Sequence, residues 1–171
     1  MAKRLTMIAA SEMILGMRDK SPEWYFEPVE PLFKNADLVF GHLETPHTER
    51  PEYQGVFMTP PSPMKNIEVL KYAHFSGVTL AGNPIFAYGP PGVEDTVNWL
   101  DANGIAHCGA GMNIDEARKP MILERDGVKF GFLSYDSVGQ MGAAATGRKA
   151  GGAYVDVLTH YAAGRFPGAP P

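Results

Sequence analysis

The order of the segments predicts an α/β fold. Short apolar runs alternate with segments of helical period along the 171 residues, as in layered folds whose strands and helices follow one another. The length suits one domain and is short for two. Hydrophobic residues make up 44% of the chain, so its apolar surface can offset the entropy of the unfolded chain. One domain is therefore predicted over residues 1–160, followed by a Pro/Gly-rich tail over residues 161–171.

The first half of the chain predicts three strands separated by two helices and a long loop. The dipeptide Ser21-Pro22 is a cap followed by a first-turn proline, and it begins the first helix. The second helix begins at Ser62-Pro63 and is expected to end at Gly77, a residue type that helix C-termini prefer. Residues 45–63 carry several prolines and no periodicity, so they form a loop in which His47 is expected at the surface. The predicted strands cover residues 5–10, 37–41 and 78–81.

The second half predicts a helix, a hairpin and a Gly-rich loop. The helix carries Glu94 and Asp95 in its first turn, where their charge suits the helix dipole, and Gly104 ends it. Asp126-Gly127 is a strong turn signal between two apolar runs and predicts an antiparallel hairpin. Residues 138–152 are mostly Gly, Ala and Thr and predict a mobile loop. The remaining elements are strands over residues 105–108, 121–125, 128–135 and 153–158 and a short helix over residues 113–118.

Composition excludes several classes of protein. The chain carries 15 basic and 19 acidic residues without a dense basic block, so no nucleic-acid surface is indicated. The single cysteine, Cys108, rules out an internal disulfide and a thiolate-rich metal site, and it fits a reducing, cytoplasmic compartment. The apolar run over residues 5–10 is interrupted by Ser11 and Glu12, so it predicts a strand and not an export signal. No run approaches the ~18 apolar residues of a membrane span.

Polar side chains follow each of the first three predicted strands. In a parallel sheet the carboxyl ends of the strands meet at one edge, where ligands usually bind. Carboxylate, imidazole and amide groups that converge there can bind a divalent metal ion and activate its water. Glu12 is equally consistent with a solvated loop, and Asp136 with a hairpin cap. The candidates are Ser11 and Glu12, His42 and Glu44, Gly82 and Asn83, and Asp136 after the hairpin.

Several short motifs occur in a recognisable order. Residues 36–46 read ADLVFGHLETP, and they are followed by GIAHCGAGMN over residues 104–113, EARKP over residues 116–120 and GVKFGFLSY over residues 127–135. In this order the motifs resemble the CapA-type poly-gamma-glutamate capsule-synthesis family. The fold of that family is similar to that of calcineurin-like metallophosphoesterases. The resemblance therefore implies an α/β chain that forms half of a four-layer α-β-β-α sandwich.

The resemblance implies a site that keeps only part of the family's residues. Glu44 falls at the family's acidic site position, and Asn83 at the second Asn of its ANNH motif. Pro84 stands in place of the motif's His, and a proline has no ring nitrogen with which to bind a metal ion. The usual two-metal site is therefore not expected. The other departures are Ser11-Glu12 for Gly-Asp, His42 for the Asn of the NLE motif, Gly82 for the first Asn of ANNH, and Ala87 for a following Asp.

We therefore expect a remodelled centre for one divalent metal ion, Zn, Mn or Fe, because imidazole and carboxylate groups are both competent ligands. The expected ligands are Glu12, His42, Glu44 and Asn83. The expected catalytic residues are Glu44, His42 and Asp136. Asn83 and Arg148 are expected to bind the substrate, although a solvated loop residue is the favoured interpretation of Arg148.

The resemblance also implies a partner. Family members are longer and take further His ligands from a C-terminal half, and a sheet with one bare face would expose more apolar surface than a soluble monomer tolerates. A second subunit, or a second copy of this chain, is expected to complete the sandwich. The predicted function is that of a subunit of a metal-dependent hydrolase or lyase acting on an anionic or amide-bearing small molecule. The alternative is a degenerate, non-catalytic scaffold or binding subunit of the same fold.

Overall fold

The computed structural model describes residues 4–16, 21–52, 61–139 and 141–157. Its strands are β1 (Met7–Met13), β2 (Leu38–Leu43), β3 (Gly77–Thr79), β4 (Ala106–Cys108), β5 (Ala110–Gly111), β6 (Met121–Arg125), β7 (Val128–Phe132) and β8 (Gly151–Gly152). The main sheet has the order β1-β2-β3-β4, and its neighbouring strands are parallel. Parallel neighbours need a crossover connection, which explains why helices separate these strands along the chain. The prediction of an α/β fold is confirmed to this extent.

Helices pack against one face of the main sheet. They are α1 (Pro22–Phe26), α2 (Glu30–Lys34), α3 (Met64–Ile67), α4 (Val69–Tyr72) and α5 (Pro90–Ala102). Val39 and Leu43 of β2 and Val78 of β3 belong to the buried cluster on this side. A further short helix, α6 (Ile114–Ala117), packs with Ala145 and Ala153 in a separate cluster. The longest helix, α5, has prolines in its first turn, where a missing N–H costs nothing, and it ends just before Gly104, whose φ is +66°.

The hairpin formed by β6 and β7 covers the opposite face. Met121 and Leu123 of β6 pack with Leu38, Cys108 and neighbouring side chains of the main sheet. The rings of Phe40 and Phe132 meet at a centroid distance of 4.5 Å. The hairpin thus covers part of the sheet face that a partner was expected to cover. The complete four-layer sandwich stays a prediction.

The turn of this hairpin is the predicted Asp126-Gly127. Its two residues have φ values of +51° and +78°, as a type I′ turn requires, because the backbone of this turn follows the right-handed twist of the two strands. The strands pair antiparallel from Arg125 opposite Val128 to Met121 opposite Phe132. The hairpin prediction is confirmed.

The second predicted helix ends differently from the expectation. Its stretch forms two short helices, α3 and α4, and the chain then turns at His74, whose φ is +57°. Gly77 is not a helix cap but the first residue of β3. It lies beneath the hairpin, where a Cβ atom would overlap Met121 Sδ. The glycine is therefore required by a close approach between strands.

The acidic pair of α5 also has a different role. Because the helix begins at Pro90, Glu94 and Asp95 lie beyond its first turn. Both carboxylates pair with Arg50, and Arg50 Nη2 lies 3.0 Å from Glu94 Oε2. Asp95 also accepts a hydrogen bond from the Thr48 hydroxyl. These contacts attach the loop after β2 to α5 and do not serve the helix dipole.

The segment over residues 138–152, predicted as a mobile loop, is in part regular structure. This segment contains a 3-10 turn over Met141–Ala143, and β8 pairs antiparallel with β5. Ala145 and Ala150 are buried, because small side chains let the segment approach the domain closely. The Gly/Ala-rich composition therefore reflects close packing.

The strand predicted over residues 153–158 is displaced. The strand of this region is β8, which ends at Gly152, and the residues that follow make a bridge between Asp136 and Tyr154. Leu158 lies outside the described residues.

His47 is fully buried, contrary to the expectation of surface exposure. Its backbone N–H donates to Thr96 Oγ1 at 2.8 Å, and the Thr96 hydroxyl donates to the carbonyl of Gly92 at 2.7 Å. Within the described part of the chain, neither ring nitrogen of His47 has a hydrogen-bond partner. Burial lowers the pKa of the imidazole to about 3, so the ring is neutral at neutral pH.

Gly127→Ala is expected to lower the free energy of unfolding by about 1–2 kcal/mol, since an L-residue is strained in the left-handed region. A methyl group there meets no atom within 4 Å, so the whole effect is conformational. Gly142→Ala is the matched control, because its added methyl also meets nothing within 4 Å and its φ is not in the left-handed range. Urea unfolding of both variants measures the difference, and equal stabilities would contradict the assigned turn.

His47→Leu is expected to flatten the loss of stability in mild acid. Between pH 6.5 and about 3 the unfolded chain binds a proton at His47 that the folded chain does not, so stability falls as the pH falls. The slope from one such group is about 1.4 kcal/mol per pH unit. At pH 7 the variant should be at least as stable as the wild type, because it removes buried nitrogens without partners. Urea unfolding between pH 7 and 5 checks this, and equal slopes in the two proteins would refute it.

Candidate functional site

A row of register partners crosses the main sheet close to the carboxyl ends of its strands. Glu12 of β1 pairs with His42 of β2, and His42 pairs with Thr79 of β3. Thr79 in turn pairs with Cys108 of β4. Neighbouring strands lie about 4.8 Å apart, so consecutive members stand side by side. We call these four residues the site row.

A bulge in β1 places Glu12 in this row. Ala9 pairs with Phe40 and Glu12 pairs with His42, so β1 holds one extra residue between the two pairs. A regular strand would have brought Ser11 beside His42 instead. The strand also runs to Met13, three residues beyond its predicted end, so Glu12 lies within a strand and not in a loop.

The site row lies on the face of the sheet that the hairpin covers, and only one end of the row is open. Cys108 is 2% exposed beneath the hairpin, and burial raises the pKa of its thiol, which keeps it protonated. Glu12 at the other end is exposed, and His42 and Thr79 are half-buried. A ligand would therefore reach the row from the side of Glu12 and His42.

His42 is held by one ring nitrogen. Its Nδ1 lies 2.9 Å from Thr79 Oγ1. Burial lowers the pKa of His42 below its ordinary value, although the charges of Glu12 and Asp136 and a hydrogen bond to the backbone of Thr79 act in the opposite direction. The imidazole is thus neutral at neutral pH, in the form that accepts a proton or binds a metal ion.

Glu44 follows directly after β2, and its side chain is half-buried. Its backbone N–H donates to the carbonyl of Met13 at 3.1 Å, which fixes the chain where β2 ends. Burial raises the pKa of the Glu44 carboxyl, and the charge of Glu12 raises it further. The structure thus brings Glu12, His42 and Glu44 into one electrostatic neighbourhood.

Asp136 and Asn83 adjoin this neighbourhood from the hairpin side. Asp136 is 8% exposed, and its Oδ1 accepts hydrogen bonds from the backbone N–H groups of Val138 at 3.0 Å and Gly139 at 3.1 Å. A Cβ atom at Gly139 would overlap Asp136 Oδ2 and lie 3.5 Å from Asn83 Cα. Asp136 therefore caps its own turn, as one of the two sequence interpretations had it, and its charge also acts on His42.

Arg148 lies in a different part of the fold. It belongs to the turn in which Thr146 and Lys149 pair, and the carbonyl of Thr146 accepts from the backbone N–H of Ile114 at the start of α6. The side chain of Arg148 is exposed. Its assignment as a substrate-binding residue stays a prediction that no contact with the site row supports.

The described residues do not form a complete metal site. Within residues 4–16, 21–52, 61–139 and 141–157, no three His, Cys, Asp or Glu side chains come together as a group that could hold a metal ion. His42 has one ring nitrogen engaged by Thr79, so it offers one donor. The expected set of Glu12, His42, Glu44 and Asn83 therefore fits a metal ion only in part.

Comparison with known proteins assigns the family. The model of the family "Bacterial capsule synthesis protein PGA_cap" matches residues 2–162. The chain belongs to this family. It is 26% identical over 161 residues to "Capsule biosynthesis protein CapA" of Bacillus anthracis and 28% identical over 129 residues to "PGA biosynthesis protein CapA" of Bacillus subtilis (strain 168). The resemblance drawn from the motifs is confirmed.

The capsule-synthesis relatives are longer than this chain. The matches cover 87% and 74% of the chain but 39% and 34% of the respective relatives. Among the described residues, no helix combines the length and the apolar character needed to cross a membrane.

His42 and Gly82, which the motif resemblance places where the family has an Asn, adjoin each other. A Cβ atom at Gly82 would lie 2.9 Å from His42 Nε2 and 3.4 Å from its Cε1. A side chain at position 82 would therefore displace the imidazole. Pro84, which the resemblance places at the motif's His, is buried and has no ring nitrogen to offer.

Sequence reasoning missed Thr79, which holds the His42 ring. A polar residue within a short apolar strand gives a weak signal, because threonine is common in strands for its shape alone. Its partner becomes evident only from the register of β2 with β3.

Glu12→Gln is expected to lower the pKa of His42 and that of Glu44 together, because the charge of Glu12 raises both. Titration of the His42 ring and the Glu44 carboxyl by NMR measures the two pKa values. Glu23→Gln, on the exposed side of α1, is the matched control and should move neither. An unchanged His42 pKa in Glu12→Gln would show that the bulge does not place the two side chains together.

Proposed function

We propose that this chain is a subunit of a CapA-like hydrolase or lyase whose reactive crevice lies at the open end of the site row. The observation that carries the proposal is the state of His42. The charges of Glu12 and Asp136 act on a neutral imidazole whose Nδ1 lies 2.9 Å from Thr79 Oγ1, which leaves Nε2 as the reactive ring nitrogen. Such a nitrogen can accept a proton from water or from a substrate.

The chemistry divides between His42 and Glu44. His42 Nε2 takes a proton from the attacking water in hydrolysis, or from the substrate in a lyase reaction. Glu44, whose pKa is raised by burial and by Glu12, is suited to return a proton to the leaving group.

The charge around the crevice favours an amide over a free anion as the reacting group. The charges of Glu12 and Asp136 act on the neutral imidazole, and the charge of Glu12 also acts on Glu44, so the local potential is negative. An anionic group would be repelled unless a cation lies between them. The CapA relatives are named for capsule and PGA biosynthesis. Poly-gamma-glutamate is joined by amide bonds but carries a carboxylate on each residue, so it would fit this crevice only with a cation between the charges.

We propose a divalent cation at this site only together with further metal ligands that come from outside the described residues. His42 Nε2 and the carboxylates of Glu12 and Glu44 would supply some of its ligands, and Asn83 lies beside Asp136 at the edge of the group. When bound, such an ion would polarise the substrate and neutralise the negative potential of the crevice.

A second polypeptide is proposed to cover the crevice, supplied by another subunit or by a second copy of this chain. Exposed apolar side chains surround Asp136 on the two segments that its bridge with Tyr154 joins. They are Leu133, Tyr135, Val138, Val155 and Val157, and we call them the apolar rim. Val138 is 85% exposed. Exposed apolar side chains that form a patch are typical of surfaces that bind another protein. Relatives that are more than twice as long offer a chain segment of the required size.

The second candidate function is a scaffold or binding subunit without catalysis. The observation that favours it is the loss of the family's His and Asp at Pro84 and Ala87, together with the incomplete donor set among the described residues. In this case the negative crevice would bind a cationic or amide group of a ligand or partner without turning it over.

His42→Gln and Glu44→Gln test the two functions. If the chain is catalytic, each variant should lose about 10²–10⁴-fold in turnover, because a positioned acid or base contributes about that much. The assay uses the full chain with any subunit that co-purifies, and a panel of primary amides, γ-glutamyl amides and phosphate monoesters. Metal content of the same samples is measured by elemental analysis.

Glu23→Gln is the matched control and should keep full activity. Sizing of every variant shows whether the complex still forms. Lost turnover with intact assembly supports the enzyme, and lost assembly in Glu44→Gln supports the scaffold. Full turnover in His42→Gln would overturn the catalytic proposal.

A further inference from the structure

Thr79 stands between two possible hydrogen-bond partners. Its hydroxyl oxygen lies 2.9 Å from His42 Nδ1 and 3.5 Å from the carbonyl oxygen of Gly41. A hydroxyl has one proton to donate, whereas a carbonyl can only accept. If the proton goes to Gly41, the oxygen accepts from His42, and Nδ1 must carry the hydrogen.

The opposite arrangement leaves the carbonyl of Gly41 unused. If Thr79 donated to Nδ1, its one hydroxyl proton would not reach the carbonyl oxygen of Gly41, and the ring hydrogen would sit on Nε2. The tautomer with the hydrogen on Nδ1 lets the hydroxyl accept from the ring and donate to Gly41 at once, so it is preferred.

We propose that Thr79 is the positioning residue that fixes His42 with the hydrogen on Nδ1 and the lone pair on Nε2, and that Gly82 keeps that lone pair accessible. Thr79 and His42 are register partners on adjacent parallel strands, so the backbone sets their separation. The imidazole nitrogen that meets the crevice is thereby defined by the sheet. This inference deepens the proposed function and rests on it for its catalytic meaning.

Gly82 leaves the space beside His42 Nε2 open. A Cβ atom there would lie 2.9 Å from His42 Nε2, well inside the usual contact distance of about 3.5–4.0 Å between non-bonded heavy atoms. The φ of Gly82 is not in the left-handed range, so the backbone itself would accept an alanine. The requirement for glycine is therefore steric and concerns only the ring of His42.

The tautomer is measured directly by NMR of the full chain labelled with ¹⁵N-histidine and treated with chelator. The ¹⁵N chemical shifts separate a protonated ring nitrogen from one that carries a lone pair. We expect Nδ1 to be protonated in the wild type and in Thr79→Ser. In Thr79→Val, which keeps the β-branched shape and loses the hydroxyl, we expect the hydrogen to move wholly or partly to Nε2.

Turnover supplies the second readout for Thr79. Thr79→Val should lose about 10–100-fold in activity, as substitutions of groups that orient a functional histidine do, and Thr79→Ser should restore most of it. Circular dichroism confirms that Thr79→Val is folded. If that variant does not fold, the tautomer of the wild type alone decides the proposal.

Gly82 is tested with diethyl pyrocarbonate, which modifies an imidazole nitrogen that has a free lone pair. Gly82→Ala should slow the modification of His42 about tenfold or more, because the added methyl group stands against Nε2. His74, which lies on the helical side of the domain and is partly exposed, is the internal control and should react at the wild-type rate. Peptide mass spectrometry assigns the modified residue.

Different results overturn the two proposals. Protonation of Nε2 in the wild type, or an unchanged tautomer in folded Thr79→Val, overturns the role of Thr79. Unchanged reactivity of His42 in Gly82→Ala overturns the role of Gly82. If the tautomer is as expected but His42→Gln keeps full turnover, the proposed catalytic function fails while the positioning of His42 by Thr79 stands.

Discussion

The bulge in β1 is the constraint on which the site depends. Side chains alternate between the two faces of a strand, so a regular β1 would present Ser11 beside His42 and turn Glu12 towards the helices. One inserted residue reverses this alternation and brings a carboxylate into the site row. The negative charge next to the imidazole, and the effect of that charge on His42 and Glu44, follow from a local irregularity of the backbone.

The imidazole of His42 depends on the missing side chain of Gly82. Interiors are close-packed, so the ring at position 42 needs room nearby, and position 82 is where its Nε2 points. An Asn at position 82 would collide with the imidazole. The motif resemblance expects an Asn at both positions in the family, and under that correspondence the two differences would form one structural change.

Local and distant interactions explain which sequence predictions succeeded. The hairpin was predictable because Asp126-Gly127 determines its turn within four residues. The cap of α6 is also local, since Asn113 accepts from the backbone N–H of Glu116. Gly77, His47 and the bulge depend on contacts with Met121, Thr96 and β2, which lie far away in sequence, so no local pattern reports them. Of the predicted site, Glu12, His42, Glu44 and Asp136 converge, whereas Arg148 does not.

The hydrated carboxylates at the open end of the site row restrict the kind of surface that can cover it. Glu12, Glu44 and Asp136 are tolerated near one another because Glu12 remains in water and Asp136 accepts two backbone hydrogen bonds. A chain that packs on the apolar rim would remove water from these carboxylates. Desolvated carboxylates are stable only when hydrogen-bond donors or positive charge replace the lost water. A surface that covered the open end of the site row would therefore have to combine an apolar border with donors or a cation at its centre.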